Sequence, residues 1–154
     1  MLHQRFENPT MRHIWVLLLA LALLSCSSDE TNRNPFLQEV GFRFELNLNL
    51  PLYSNLKNPL NPIYIGNNGV GTRGAFVINT GSGFMAWEAS CPNHAPNDCS
   101  TMAIDGQNVV CSCEGYTYSL ILGQQWDVPN DGKRYYGLLP YRATQNGNIV
   151  VISN

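Results

Sequence analysis

The sequence predicts an all-β domain over residues 36–154, an antiparallel β-sandwich or small barrel with two cysteine-bearing loops. Three observations carry that expectation. Apolar residues alternate with polar ones at period two. Gly, Asn and Pro punctuate the chain at short intervals, as turns require. No stretch after Cys26 sustains a helical period.

The elements follow in order. Phe42, Phe44, Leu46, Leu48 and Leu50 alternate with Arg43, Glu45, Asn47 and Asn49, which predicts a half-buried strand that Pro51 stops. "PLYSNLKNPLNP" has three prolines and no period, so it reads as loop. "IYIGNNGV" is a strand followed by a turn at Asn67-Asn68-Gly69. Ala75 to Asn79 and Phe84 to Ser90 form a predicted hairpin around Gly81-Ser82-Gly83. Asp105-Gly106 separates two short apolar runs in "TMAIDGQNVVC", a second hairpin signal. "GYTYSLILG" reads as a strand, with Tyr116 and Tyr118 on one side as core residues. "QWDVPNDGKRYYG" is a long loop, and "LPYRATQNGNIVVIS" closes the domain as a hairpin turning at Asn146-Gly147. Trp87 is expected in the core and Trp126 as a loop anchor. Glycines 66, 69, 71, 74, 81 and 83 serve turns; no strand–Gly–helix unit makes a phosphate loop of them.

Upstream, Met11-Arg12-His13 precedes the eleven-residue apolar run Ile14 to Leu24. A membrane span needs about 20 apolar residues, whereas a secretory signal needs a basic start and roughly 7 to 15. Residues 1–25 therefore read as a signal peptide, with Met11 as an alternative start. Leu23-Leu24-Ser25-Cys26 resembles the lipobox of bacterial lipoproteins, which implies acylation of Cys26 and cleavage just before it. Residues 26–35 then read as the lipidated Cys and a polar tether, and two or more acyl chains would hold it stably on a membrane. The acidic pair Asp29-Glu30 resembles the surface-export signal of lipoproteins from the Bacteroidetes group. The location these resemblances imply is the outer membrane, on its periplasmic or cell-surface side.

Removing Arg5, Arg12 and Glu7 with residues 1–25 leaves 129 residues with 7 basic against 10 acidic side chains, net −3. That is one domain's worth of chain. No basic stripe exists, which argues against a nucleic-acid partner. Charged residues make up 13% of the full chain, against a norm of about 25%, so Asn, Ser, Thr and Gly must supply the polar surface.

Five cysteines are present, and lipid on Cys26 would leave an even four: Cys91, Cys99, Cys111 and Cys113. In an exported chain four thiols usually mean two bridges, but spacing alone does not choose among the three connectivities. The four fall in "CPNHAPNDC" and "CSCEGYTY", each following a predicted strand. This layout resembles the Rieske iron–sulfur domain family, which carries Cys-x-His in one loop and Cys-x-x-His-Gly in a second roughly twenty residues later. Cys91 and Cys111 fall at the family's cysteine ligands, Gly115 and Tyr118 at its Gly and aromatic, and Leu139-Pro140-Tyr141 with the Asn146-Gly147 hairpin at its end. The resemblance covers about residues 60–154 and implies the subclass with a disulfide between the loops, Cys99 to Cys113.

The departures lie at the chemistry. Rieske centres use two His on one iron and two Cys on the other. Here Glu114 stands at the second His position, and His94 sits one residue late. His3 and His13 both precede Cys26, so the expected domain holds a single His. Four readings follow. The first is a scaffold without a cofactor, its loops tied by Cys99–Cys113 and, since both sulfurs would have faced one iron in the family, by Cys91–Cys111. It would serve as a non-redox binding or structural module. The second is an electron-transfer protein with an altered [2Fe–2S] cluster on Cys91, His94, Cys111 and Glu114, or on all four Cys. The third is zinc on some of Cys91, His94, Cys99, Cys111 and Cys113, although Cys-x-Cys is poor zinc spacing. The fourth is thiol or acid chemistry with Glu114 as base, but neither Cys-x-x-Cys nor a Ser-His-Asp array is evident. No catalytic residue is assigned, and no protein partner or ligand is identified.

Overall fold

The computed structural model describes residues 33–154; the expected signal segment 1–25, Met11, Cys26 and all but the last three residues of the expected tether lie outside the described residues. Among the described residues nine strands form: β1 (Arg43–Asn47), β2 (Ile63–Ile65), β3 (Ala75–Asn79), β4 (Phe84–Glu88), β5 (Ala103–Asp105), β6 (Asn108–Val110), β7 (Thr117–Ser119), β8 (Pro140–Asn146) and β9 (Ile149–Ser153). A six-stranded sheet runs β1-β9-β8-β4-β3-β2 and a three-stranded sheet runs β5-β6-β7, with every pairing antiparallel. The fold class is therefore the expected one. No helix among the described residues is long and apolar enough to cross a membrane.

β3 explains how the two sheets become one domain. Its sequence, Ala75-Phe76-Val77-Ile78, is an unbroken apolar run, and all four residues are buried. Successive side chains of a strand point to opposite faces. Ala75 and Val77 pack with Leu46, Leu56, Val150 and Ile152 in one core; Phe76 and Ile78 pack with Val109, Tyr118 and Leu120 in the other. A strand apolar at every position is one covered on both faces.

Several boundaries differ from expectation, each for a local reason. The first strand ends at Asn47, not Leu50, because its partner β9 begins at Ile149, opposite Asn47. Leu48 still donates its amide to Asn148 and is buried, but Leu50 turns out to solvent. Within the expected loop 51–62, Ser54–Lys57 forms a 3-10 turn that buries Leu56, whose carbonyl accepts from Asn79 Nδ2 at 2.8 Å. The tyrosine-rich strand is only Thr117–Ser119, since it pairs with the three residues of β6. Beyond it the Ser119 hydroxyl accepts from the amides of Ile121 and Leu122, and the chain turns away. β4 likewise stops at Glu88, short of Ser90. The last hairpin pairs Asn146 with Ile149, so its two turn residues are Gly147-Asn148, one later than expected. Tyr118 is buried with Tyr116 packed against the same core, and Trp87 donates its indole N–H to Leu120 O at 2.8 Å. Trp126 lies over the surface, its indole N–H held by Asn108 Oδ1 at 2.9 Å.

Candidate functional site

The loop Cys91–Cys99 leaves β4 and leads to β5; Cys111–Cys113 lies in the turn between β6 and β7. Backbone hydrogen bonds fix both. In the first, Cys91 N–H donates to Ser100 O at 2.8 Å and Ser100 N–H to Asn97 O at 3.1 Å. In the second, Cys111 N–H donates to Tyr116 O at 2.9 Å and Gly115 N–H to Cys111 O at 2.8 Å. Gly115 closes that turn with φ +74°, a conformation open to glycine at little cost.

The two loops lie side by side and are bonded twice. Cys91–Cys111 joins residues whose Cα atoms are 5.6 Å apart, and Cys99–Cys113 residues 5.4 Å apart. The bridges differ in exposure: Cys91 and Cys111 are fully buried, Cys113 is half-buried and Cys99 is exposed. Sγ of Cys91, Cys111 and Cys113 and a ring nitrogen of His94 all fall within 4.8 Å of one another. His94 places Nε2 3.6 Å from Cys111 Sγ and 3.8 Å from Glu114 Oε2, and Glu114 Oε2 lies 3.5 Å from the same sulfur. Nδ1 of His94 is 2.9 Å from Ala95 O. A carbonyl oxygen only accepts, so Nδ1 is the donor of that bond, while Nε2 faces the sulfur and the Glu114 carboxylate. All six expected site residues of the domain, Cys91, His94, Cys99, Cys111, Cys113 and Glu114, thus gather at one end.

Two residues that sequence reasoning missed hold this end together. Asn93 bonds in four directions: Nδ2 donates to Tyr118 OH at 2.9 Å, Gln125 Oε1 at 3.3 Å and Tyr136 O at 3.0 Å, and Oδ1 accepts from Tyr136 N–H at 2.7 Å. It thereby docks the long loop 125–137 onto the cysteine loop. Replacing Asn93 by alanine is expected to cost about 2 kcal/mol, because several part-buried groups lose their partner at once; urea unfolding of the variant measures it. Glu88 is fully buried beneath the first loop. Its carboxylate accepts from Thr72 N–H at 2.6 Å, Arg73 N–H at 2.9 Å, Ser90 N–H at 2.9 Å and Tyr141 O–H at 2.5 Å. Arg73, so placed, donates from Nη2 to Asn97 O at 2.7 Å in the cysteine loop. A Cβ at Gly71 would lie 2.6 Å from Glu88 Oε2, so that close approach requires the glycine.

Burial, with smaller help from the nearby Glu114 and Tyr116 and against the hydrogen bond from Asn93, pushes the Tyr118 phenol up to about 12. An unfolded tyrosine ionises near pH 10. The folded state thus holds this proton more tightly, so the stability it contributes is complete below about pH 10 and is lost as pH rises toward about 12. Stability followed by chemical denaturation should fall over that window, and Tyr118→Phe should flatten the fall by one proton's worth of slope.

Beside the bridges a cavity of about 200 Å³ is lined by Phe36, Asn93, Glu114, Tyr116, Lys133 and Tyr135 among others. Tyr116 and Tyr135 meet edge to face, ring centres 5.6 Å apart.

No protein-family profile matches the chain, and no curated protein matches it. Solved structures do. The chain is similar to a chain of the complex of reduced oxygenase and oxidised ferredoxin in carbazole 1,9a-dioxygenase, at 16% identity over 75% of this chain and 94% of that one, TM-score 0.46. It is similar to the apo form of a quaternary ammonium Rieske monooxygenase, at 19% identity over 64% of this chain, TM-score 0.48, and spans 30% of that enzyme. It is also similar to the ferredoxin of carbazole 1,9a-dioxygenase from Nocardioides aromaticivorans, at 15% identity over 64% of this chain and 90% of that one, TM-score 0.43. All three likenesses lie below 20% identity and below a TM-score of 0.5, so the all-β class rests on the strand pairings themselves.

The residues present do not fit a Rieske cluster. Such a cluster takes two imidazoles and two thiolates. Among the described residues His94 is the sole imidazole, a carboxylate stands where the second would be, and the two candidate ligand sulfurs are bonded to each other.

Proposed function

We propose that this chain is a lipid-anchored Rieske-like domain that works as a non-redox binding or structural module, its former cluster end tied shut by two disulfides. The observation that carries the reading is the Cys91–Cys111 bond, which consumes both sulfurs that an iron would need. The single imidazole supports it. The binding surface in this reading is the cysteine end itself, where the cavity offers aromatic faces beside Glu114 and Lys133. The anchor is acylated Cys26 in the outer membrane, as the lipobox-like Leu23 to Cys26 suggests; metabolic labelling with a palmitate analogue, lost in Cys26→Ala, tests it.

The full chain, purified anaerobically in detergent, should be colourless and carry no free thiol among the four loop cysteines. Visible absorbance with about two iron and two sulfide per chain would overturn the reading in favour of electron transfer. Free loop thiols with co-purifying zinc would overturn both.

A further inference from the structure

The two bridges are unequal in a way that suggests an activity. A thiol reaching the domain from solvent meets Cys99 first, because that residue is exposed whereas Cys91 and Cys111 are fully buried. Yet the sulfur of the half-buried Cys113 lies within 4.8 Å of both buried sulfurs. We propose that the loops form a thiol–disulfide relay, in which opening the exposed bridge turns Cys113 into the internal nucleophile that opens the buried one. The proposal rests on the site holding two bridges rather than a cluster.

The electrons come from a soluble dithiol. One of its thiolates attacks Cys99 Sγ; the Cys99–Cys113 bond breaks and Cys113 leaves as thiolate. The second thiol of the reductant closes on the mixed disulfide, leaving as a cyclic disulfide and freeing Cys99. Two electrons have entered, and one protein disulfide has been reduced. Cys113 thiolate then attacks Cys91 Sγ. The Cys91–Cys113 bond forms, the Cys91–Cys111 bond breaks, and no further electrons are needed. Attack on Cys91 avoids closing a ring across the single residue Ser112, so Cys111 is the sulfur that leaves. His94 Nε2 lies 3.6 Å from Cys111 Sγ, within reach of the S–H that forms there once Cys111 has left. The departing thiolate takes up a proton from solvent, an uptake the Glu114 carboxylate at 3.5 Å favours even as it slows departure. The product carries one bridge, Cys91–Cys113, with Cys99 and Cys111 as thiols.

The test uses the full chain in detergent with one equivalent of dithiothreitol, quenched in acid, alkylated and mapped by mass spectrometry. Before reductant, bridges 91–111 and 99–113 are expected. Free loop thiols or bound metal at that point would mean that the two-bridge reading itself has failed. After reductant, label is expected on Cys99 and Cys111 with a new Cys91–Cys113 bridge. Label on Cys99 and Cys113 alone, with 91–111 intact, overturns the relay and leaves the two-bridge reading standing. A rate measurement checks the same step independently. With Cys99→Ser/Cys113→Ser, excess dithiothreitol should open the buried bridge at least roughly tenfold more slowly than in the unmodified chain, since no loop thiol remains and attack must then come from outside. An unchanged rate overturns the relay.

Discussion

Replacing Glu88 by alanine is expected to lower folding stability by about 4 kcal/mol or more, the largest effect of any single side chain near the site. The carboxylate accepts four hydrogen bonds in a fully buried position. Truncation leaves three backbone N–H groups and the Tyr141 hydroxyl without an acceptor, where each orphaned group costs on the order of 1–3 kcal/mol unless water enters. Glu88→Gln should fall between, since one oxygen still accepts while an amide N–H₂ is turned against donors. Urea unfolding measures both. A loss below about 1 kcal/mol in Glu88→Ala would mean that the carboxylate is not the clamp described here. The Tyr141 phenol reports on the same contact: burial first, and then Glu88, holds its ionisation well above the ordinary tyrosine range.

The second large effect is expected from removing the buried bridge. A Cys91→Ala/Cys111→Ala double variant should lose about 3–4 kcal/mol, from the freed loop in the unfolded chain and from the void left where two fully buried sulfurs packed. Removing Cys99 and Cys113 frees a loop of similar length at a more exposed place, so its cost should be smaller, about 2–3 kcal/mol. Equal losses for the two pairs in parallel denaturation curves would show that burial of the inner bridge adds nothing.

How legible this molecule was depends on the range of the interaction. The strands were readable because alternation and turn chemistry act within a few residues: Asp105-Gly106 and the Asn146 region each mark a hairpin that forms. Strand ends were less so, since β1 and β7 stop where their partners stop, and a partner's length is not written in the strand itself. The cysteine end was legible through the layout of its loops, not through spacing, which left three pairings open. Asn93 and Glu88 went unread because their partners lie up to 43 and 53 residues away. For Glu88 a signal did exist. It shares its strand face with Phe84 and Ala86, both packed in the core, and an acid at an inward position must find donors.

The pattern of the two S–S bonds has a consequence for survival against proteases. Both bonds span the β5–β6 turn at Gly106, since one links residues 91 and 111 and the other 99 and 113. A protease that nicks the backbone at that tip releases nothing: the severed halves stay stapled at two places, and the chain after the cut still belongs to the chain before it.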